Sequence, residues 1–272
     1  MRDSSLAVAC SGGAFCRPYP EALILTADPD ELIGKLRRGA RVIAEFHESE
    51  AEFIKAGATE AKLGPAGSLT IEMKAIPDRF SAMAGDVLQN LRAALDHEVC
   101  RMAAAAKGAN WAGLNGCGFP LQRDPVKYAK ARKTLIGPLP DPVKELIDGF
   151  QLFCVPLDPE AGHLELLNEL ARLDRHRLLH LTAMQVTRFE PELVALAQVA
   201  GELIGEVTPA TTHAVRVRMK MRLAFRDAPA RAAPVGITLL TLATAVRRVL
   251  RRLREAEARD TSKASGHPRQ DP

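Results

Sequence analysis

Residues 81–107 read SAMAGDVLQNLRAALDHEVCRMAAAAK, and this stretch decides the fold class. At 100° per residue its large apolar side chains fall within about 60° of one another, which is typical of a core-facing helix. These side chains are Leu88, Leu91, Leu95, Val99 and Met102. The opposite face carries Asp86, Asn90, His97 and Arg101. The pattern predicts a long amphipathic helix with a solvated polar side.

Similar patterns on both sides of this stretch predict further helices. They cover residues 30–54, 125–133, 142–150, 163–186 and 239–258. Strict alternation predicts two strands, at residues 69–75 and 215–225. Because a lone strand is unstable, we expect these two to pair antiparallel, with Glu72 among the arginines of the second. The predicted fold class is therefore mainly α: a helical bundle with a small two-stranded antiparallel β element.

Composition indicates a globular protein. Of 272 residues, 47% are hydrophobic and 26% are charged, which excludes a wholly disordered chain. Aromatic residues make up only 4%, with Trp111 the single tryptophan, which argues against a base-stacking platform for single strands. We expect a loose N-terminal arm over residues 1–28, one mostly helical domain over residues 29–258, and a disordered tail over residues 259–272.

The cysteines and apolar runs bear on location. The five cysteines are Cys10, Cys16, Cys100, Cys117 and Cys154. None forms a Cys-x-x-Cys pair, so neither a disulfide framework nor a zinc ribbon is expected. The apolar stretch near the N-terminus is too short for a secretory signal, and no uncharged run is long enough for a membrane span. A cytoplasmic location without membrane partners fits best.

The C-terminal third is basic. Residues 213–259 contain twelve Lys and Arg against three acids. On the second predicted strand, Arg216, Arg218, Lys220 and Arg222 share one face. Such a face, with the arginines of the last helix, could follow the phosphate backbone of RNA or another polyanion. The alternative is that Glu72 and acids of the helical body neutralise these cations.

The segment at residues 163–186 places polar residues in unusual positions. As one helix it would be apolar on two sides, with Asp174 and Arg175 on or beside the main stripe. Buried charges are costly unless they are paired. Because Arg92 and Asp96 are four residues apart on the first helix, they can pair with each other. We expect one of them to meet Asp174 or Arg175 across a helix–helix contact.

Three short motifs resemble an uncharacterised bacterial family. They are NLRAALDH at residues 90–97, GFPL at 118–121 and DRHR at 174–177. That family carries Asn-Leu-Arg-x-Ala-Leu-Asp-His, then Phe-Pro-Ile, then Asp-Lys-His-Arg. The resemblance covers roughly residues 32–187. Arg175 stands where the family has Lys, which keeps the charge.

The spacing of Arg92 and His97, Arg-x-x-x-x-His on a helix, is also similar to that of the HEPN superfamily of nucleotide-binding domains. This resemblance implies a small helical bundle, often a homodimer, and in many members a metal-independent endoribonuclease. It implies that Arg92 binds the scissile phosphate and that His97 moves a proton at the 2′-hydroxyl, roles that suit a bidentate cation and a group titrating near neutral pH. Asp96, Asp174, Arg175 and His176 complete the candidate catalytic set.

Two other interpretations stay open. Glu169, His176 and His180 would share a helix face and, with Asp96 or His97, could hold a metal ion. No second Glu-x-x-His motif accompanies them, so we expect neither a metal nor another cofactor. In the remaining alternative the chain is a non-enzymatic helical module, and its Arg, Asp and His residues form a structural polar network.

Overall fold

The computed structural model describes residues 34–57, 59–63, 69–108, 116–186, 220–227 and 229–265. The predicted N-terminal arm lies outside these residues. Over the described ranges the fold is mainly α, as predicted, with six helices: α1 (Gly34–Lys55), α2 (Asp78–Lys107), α3 (Pro125–Leu135), α4 (Asp141–Gly149), α5 (Ala161–His176) and α6 (Val235–Ser265). The strands are β1 (Thr59–Leu63), β2 (Leu69–Met73), β3 (Leu181–Val186) and β4 (Lys220–Phe225).

Helix α2 lies at the centre of the bundle, where it contacts α1, α5 and α6. Its predicted apolar stripe is confirmed, since all five side chains of that stripe are buried. The helix ends at Gly108, whose positive φ of 60° favours glycine and lets its N–H bond the carbonyls of Ala104 and Ala105. Because helices pack on several sides of α2, part of its polar face is buried as well, and Asn90 and Glu98 are nearly inaccessible.

The predicted strand pairing is wrong. Strand β2 pairs antiparallel with β1, which immediately precedes it in sequence, and β4 pairs antiparallel with β3. Glu72 consequently stands opposite Glu60 in the ladder and not among the arginines of β4. The short connection between β1 and β2 closes at a small entropic cost, which favours the neighbouring partner over a distant one.

The helix predicted over residues 163–186 is also shorter than expected. Helix α5 ends at His176, Arg177 is extended, and residues 181–186 form β3. Asp227, which lies about 50 positions further along the chain, stabilises the non-helical backbone after His176. It accepts hydrogen bonds from the Arg177 guanidinium and the His180 backbone N–H, each at 2.8 Å. A distant acceptor thus stops a helix that the local periodicity would continue.

Helix α6 continues through Ser265, past its predicted end at residue 258. Three of its arginines form ion pairs with acids of the helical body: Arg248 with Glu160, Arg252 with Asp158 and Arg254 with Glu98. Internal neutralisation, the alternative to a phosphate-binding helix, is therefore confirmed for these three side chains. None of the described helices combines the length and the apolar character needed to cross a bilayer.

Candidate functional site

A cleft of about 540 Å³ opens between α2, α5 and the chain that follows residue 118. Helix α2 contributes Gln89, Arg92, Ala93 and Asp96, and α5 contributes Glu165, Asn168, Glu169, Arg172 and Arg175. The third wall consists of residues 119–124, Lys127 and Leu135. Three of the six candidate catalytic residues, Arg92, Asp96 and Arg175, therefore line one cleft.

Arg92 and Asp96 hold the backbone of Phe119 between them. Arg92 Nη2 donates to the Phe119 carbonyl at 2.6 Å, and Asp96 Oδ1 accepts the Phe119 N–H at 2.8 Å. The two side chains also form the predicted ion pair, with Nη2 3.3 Å from Oδ1. Phe119 itself is fully buried against Phe150. We call this arrangement the Phe119 clamp.

One turn further along α2, a disulfide joins Cys100 to Cys117, with the Cα atoms 5.3 Å apart. The prediction that no disulfide would form is wrong for this pair. The two cysteines are separated by 17 positions and by the end of α2, so no local motif announces their proximity. They meet because the chain after α2 folds back along the same helix.

Two glutamines that the sequence interpretation did not select support the cleft walls. Gln151 donates to the Pro120 carbonyl at 3.0 Å and accepts the Gln122 N–H at 3.2 Å. Gln89 donates to the Ala171 carbonyl at 2.8 Å and to Asp174 Oδ2 at 3.0 Å, which ties α2 to α5. The sequence does not predict a role for either residue, because nothing in the neighbouring residues indicates which distant group a glutamine amide will bind.

The acids of the cleft are all occupied by partners. Asp96 belongs to the Phe119 clamp, and Asp124 caps α3 by accepting backbone N–H groups of that helix. Glu165 bonds Arg123, and Glu169 bonds Arg172. Among the described residues, no carboxylate pairs with the side chains of Lys127 and Arg175. The cleft therefore keeps cationic side chains available at its rim.

Arg92 is in an unfavourable electrostatic position. Burial lowers its pKa from the ordinary value, and the nearby positive charge of Arg175 lowers that pKa further, against the opposing effect of Asp96. Its Nη1 is buried, and no acceptor for it exists among the described residues. Arg92 and Arg175 thus both line the cleft, and Arg92 has a buried donor without a partner in the described part of the chain.

The predicted contact between α2 and α5 forms, but with different pairs. Asp174 receives its hydrogen bond from Gln89 rather than from Arg92, and it lies so close to Gly85 that a Cβ there would overlap its carboxylate. Arg175 lines the same cleft as Arg92, and its positive charge lowers the pKa of Arg92. The expected helix–helix contact is present, but no ion pair in the described ranges joins Arg92 or Asp96 to Asp174 or Arg175 across it.

The candidate histidines do not line the cleft. His97 lies about 140° around α2 from Arg92, on another side of the helix. His176 is the exposed last residue of α5, and His180 follows the helix instead of sharing a face with Glu169. No three His, Cys, Asp or Glu side chains come together as a metal site anywhere in the described ranges.

The predicted basic strand face lies partly outside the described residues. Arg216 and Arg218 lie outside the described residues, and Lys220 begins β4. Arg222 donates to the buried Glu50 of α1 at 3.1 Å, and the same carboxylate accepts the Leu223 N–H at 2.7 Å. Arg222 is thus neutralised from within the fold, by Glu50 rather than by Glu72.

Comparison with known proteins adds no relative: no family model, curated protein sequence or solved structure matches this chain. What the cleft does is therefore inferred from its own geometry and charge.

Proposed function

We propose that the cleft binds a phosphate-bearing ligand, and that the chain is an RNA- or nucleotide-directed protein of the HEPN-like kind acting in the cytoplasm. One observation carries the proposal: the guanidinium groups of Arg92 and Arg175 line the same cleft, and Arg92 has a buried donor, Nη1, without an acceptor among the described residues. A phosphate in the cleft would offset the repulsion between these two like charges and supply acceptor oxygens to the exposed guanidinium of Arg175. Guanidinium groups bind phosphate with paired, charge-assisted hydrogen bonds.

The balance of charge in the cleft supports the same ligand. Its acids are held by internal partners, whereas Lys127 and Arg175 are not paired with a carboxylate among the described residues. A ligand carrying negative charge can therefore enter without displacing an existing ion pair. Attraction of this kind acts on any phosphate backbone, so we expect RNA of mixed sequence to bind with marked salt dependence.

Cleavage is a separate matter from binding. The resemblance to HEPN proteins implies a metal-independent endoribonuclease that uses Arg92 and His97. Because His97 does not line the cleft, the cleft itself supports RNA binding, and cleavage needs a separate assay. The homodimer that the resemblance implies is a further prediction, which sedimentation of the purified protein checks.

A second candidate function follows from the Phe119 clamp. Arg92 and Asp96 both form hydrogen bonds with the backbone of Phe119, as residues of a structural polar network would. On this alternative the chain is a non-enzymatic module and the cleft has no anionic ligand. Arg175 is exposed and lies outside the Phe119 clamp. The two candidate functions differ in whether this residue contributes measurably to RNA binding.

The experiment titrates purified protein into fluorescein-labelled single-stranded RNA of mixed sequence and follows anisotropy at several salt concentrations. We expect Arg175→Gln to weaken binding about tenfold, the loss of one charge-assisted contact, and to reduce the salt slope by roughly one. The matched control is Arg251→Gln, an exposed arginine of α6 whose ion pair with Glu255 lies within that helix and away from the cleft.

The outcomes separate the candidates. If Arg175→Gln and Arg251→Gln bind RNA with equal affinity, or if the wild type does not bind RNA, the anion-binding proposal is wrong. The structural module is then the remaining candidate. The same samples, run on a gel with and without chelator, show whether RNA is cut. Cleavage that survives chelator and disappears in His97→Ala would establish the endoribonuclease.

A further inference from the structure

Three residues on one face of α2 hold the same short segment of chain. Arg92, Asp96 and Cys100 are spaced four residues apart, so they form a row along the helix. The first two bind the backbone of Phe119, and the third is bonded covalently to Cys117. Residues 117–119 are thus fastened to α2 twice, by the Phe119 clamp and, two residues before it, by the disulfide.

We propose that the Cys100–Cys117 disulfide is a redox-controlled latch on the cleft, and this inference rests on the proposed anion-binding function. The latch fastens the segment that leads into residues 119–124, which form one wall of the cleft. When the disulfide is intact, this wall is positioned before a ligand arrives. When it is reduced, only the hydrogen bonds of the Phe119 clamp hold the segment on α2, and ordering the wall becomes part of the cost of binding.

Opening the disulfide requires a dithiol as the reductant. Cys117 is partly exposed and Cys100 is buried, so a thiolate of the reductant attacks Cys117 Sγ. The S–S bond breaks, and Cys100 leaves as a thiolate that takes up a proton. The second thiol of the reductant then releases Cys117 and forms the reductant's own disulfide. Two electrons pass from the dithiol to the protein, which ends with two thiols.

The position of the disulfide suits a redox switch better than a permanent cross-link within the core. It joins Cys100 of α2 to the partly exposed Cys117, whereas α1, α2 and α6 pack together through apolar side chains that the disulfide does not join. The bundle should therefore stay folded after reduction. Disulfides in a reducing compartment are usually transient or redox-sensing, which agrees with the cytoplasmic location that forms part of the proposed function.

The experiment compares oxidised protein with protein reduced by dithiothreitol, using the labelled RNA described above and hydrogen exchange of backbone amides. We expect reduction to weaken RNA binding about three- to tenfold and to speed exchange of the Phe119 amide. Amides of α6 around Val246 should keep their protection, which shows that the bundle is still folded. Cys117→Ser should behave like the reduced protein in both conditions.

Cys154→Ser is the matched control, because Cys154 is the free cysteine of the described region and lies outside the latch. This variant should respond to the reductant as the wild type does. RNA binding of equal strength in both redox states, or an unchanged exchange rate at Phe119, overturns the latch while the proposed function stands. Absence of RNA binding in the oxidised and the reduced protein overturns the proposed function and the latch together.

Discussion

Asp96 illustrates how a single residue acquires its role from a distant part of the chain. Its pairing with Arg92 follows from a spacing of four residues on a helix, which the sequence alone predicts. Its second bond, from the Phe119 N–H, reaches across 23 positions and no spacing rule anticipates it. The carboxylate therefore satisfies a buried backbone donor and a largely buried cation at once.

Removing this carboxylate should be costly. We expect Asp96→Ala to lower the free energy of unfolding by about 2–3 kcal/mol, because it strands the Phe119 N–H and leaves Arg92 without its counter-charge. Asp96→Asn keeps an acceptor oxygen and should cost less. Urea denaturation measures both, with Glu52→Ala, an exposed position on α1, as the control. An Asp96→Ala midpoint as high as that of Glu52→Ala would contradict the clamp.

Between elements, the approach of α6 to α1 shows what sequence patterns leave out. Gly236, in the first turn of α6, lies against the His47 ring of α1, and a Cβ at this position would overlap that ring. Periodicity predicts the helix that α6 contains, but it does not reveal why a glycine stands at the start of that helix. The reason is the close approach of another element.

This contact yields a prediction about packing. Gly236→Ala should lower the free energy of unfolding by about 1–3 kcal/mol, because a mostly buried ring must move to admit the methyl group. Gly162→Ala in α5, where a Cβ would meet open space, should change stability by less than about 1 kcal/mol. Urea denaturation measures both variants. If the overlap is the cause, Gly236→Ala should cost less in a His47→Ala background, and strictly additive costs would refute it.

For the whole molecule, an ionic cluster around the buried Glu98 links the central helix to the last one. Glu98 of α2 is almost inaccessible and accepts from Arg254 Nε at 2.9 Å and Arg101 Nη2 at 3.0 Å. Burial acts to raise the pKa of Glu98, but the hydrogen bonds and charges of the two arginines outweigh it, so the pKa lies below its ordinary value of 4.5. Arg101 extends the cluster to Glu257 at 2.5 Å.

The depressed pKa of Glu98 predicts how stability changes with pH. Because the folded-state pKa is below the unfolded value, the ionised group stabilises the fold above about pH 4.5, and this contribution is lost as the pH falls through the folded pKa. Glu98→Gln should cost about 3 kcal/mol at neutral pH, since it breaks a buried ion pair, and the gap to the wild type should narrow in acid. Urea titrations from neutral pH to about pH 3 measure this.

The control for this prediction is an ion pair of the same kind at the surface. Glu255→Gln removes an exposed pair with Arg251 on α6, and it should change stability by less than about 1 kcal/mol at every pH. A gap between wild type and Glu98→Gln that stays constant down to the acid end would show that the charge of Glu98 is not what stabilises the fold.

By itself the sequence determined the mainly α class, the position of the central helix and its buried stripe, because helical periodicity is a property of neighbouring residues. Only the tertiary structure decided where α5 ends, which strands pair, that Cys100 meets Cys117, and which partners Asp174 and Arg222 find. Each of these depends on residues far apart along the chain. Local periodicity does not predict such contacts, because each one forms only when the packing of the helices brings the two residues close together.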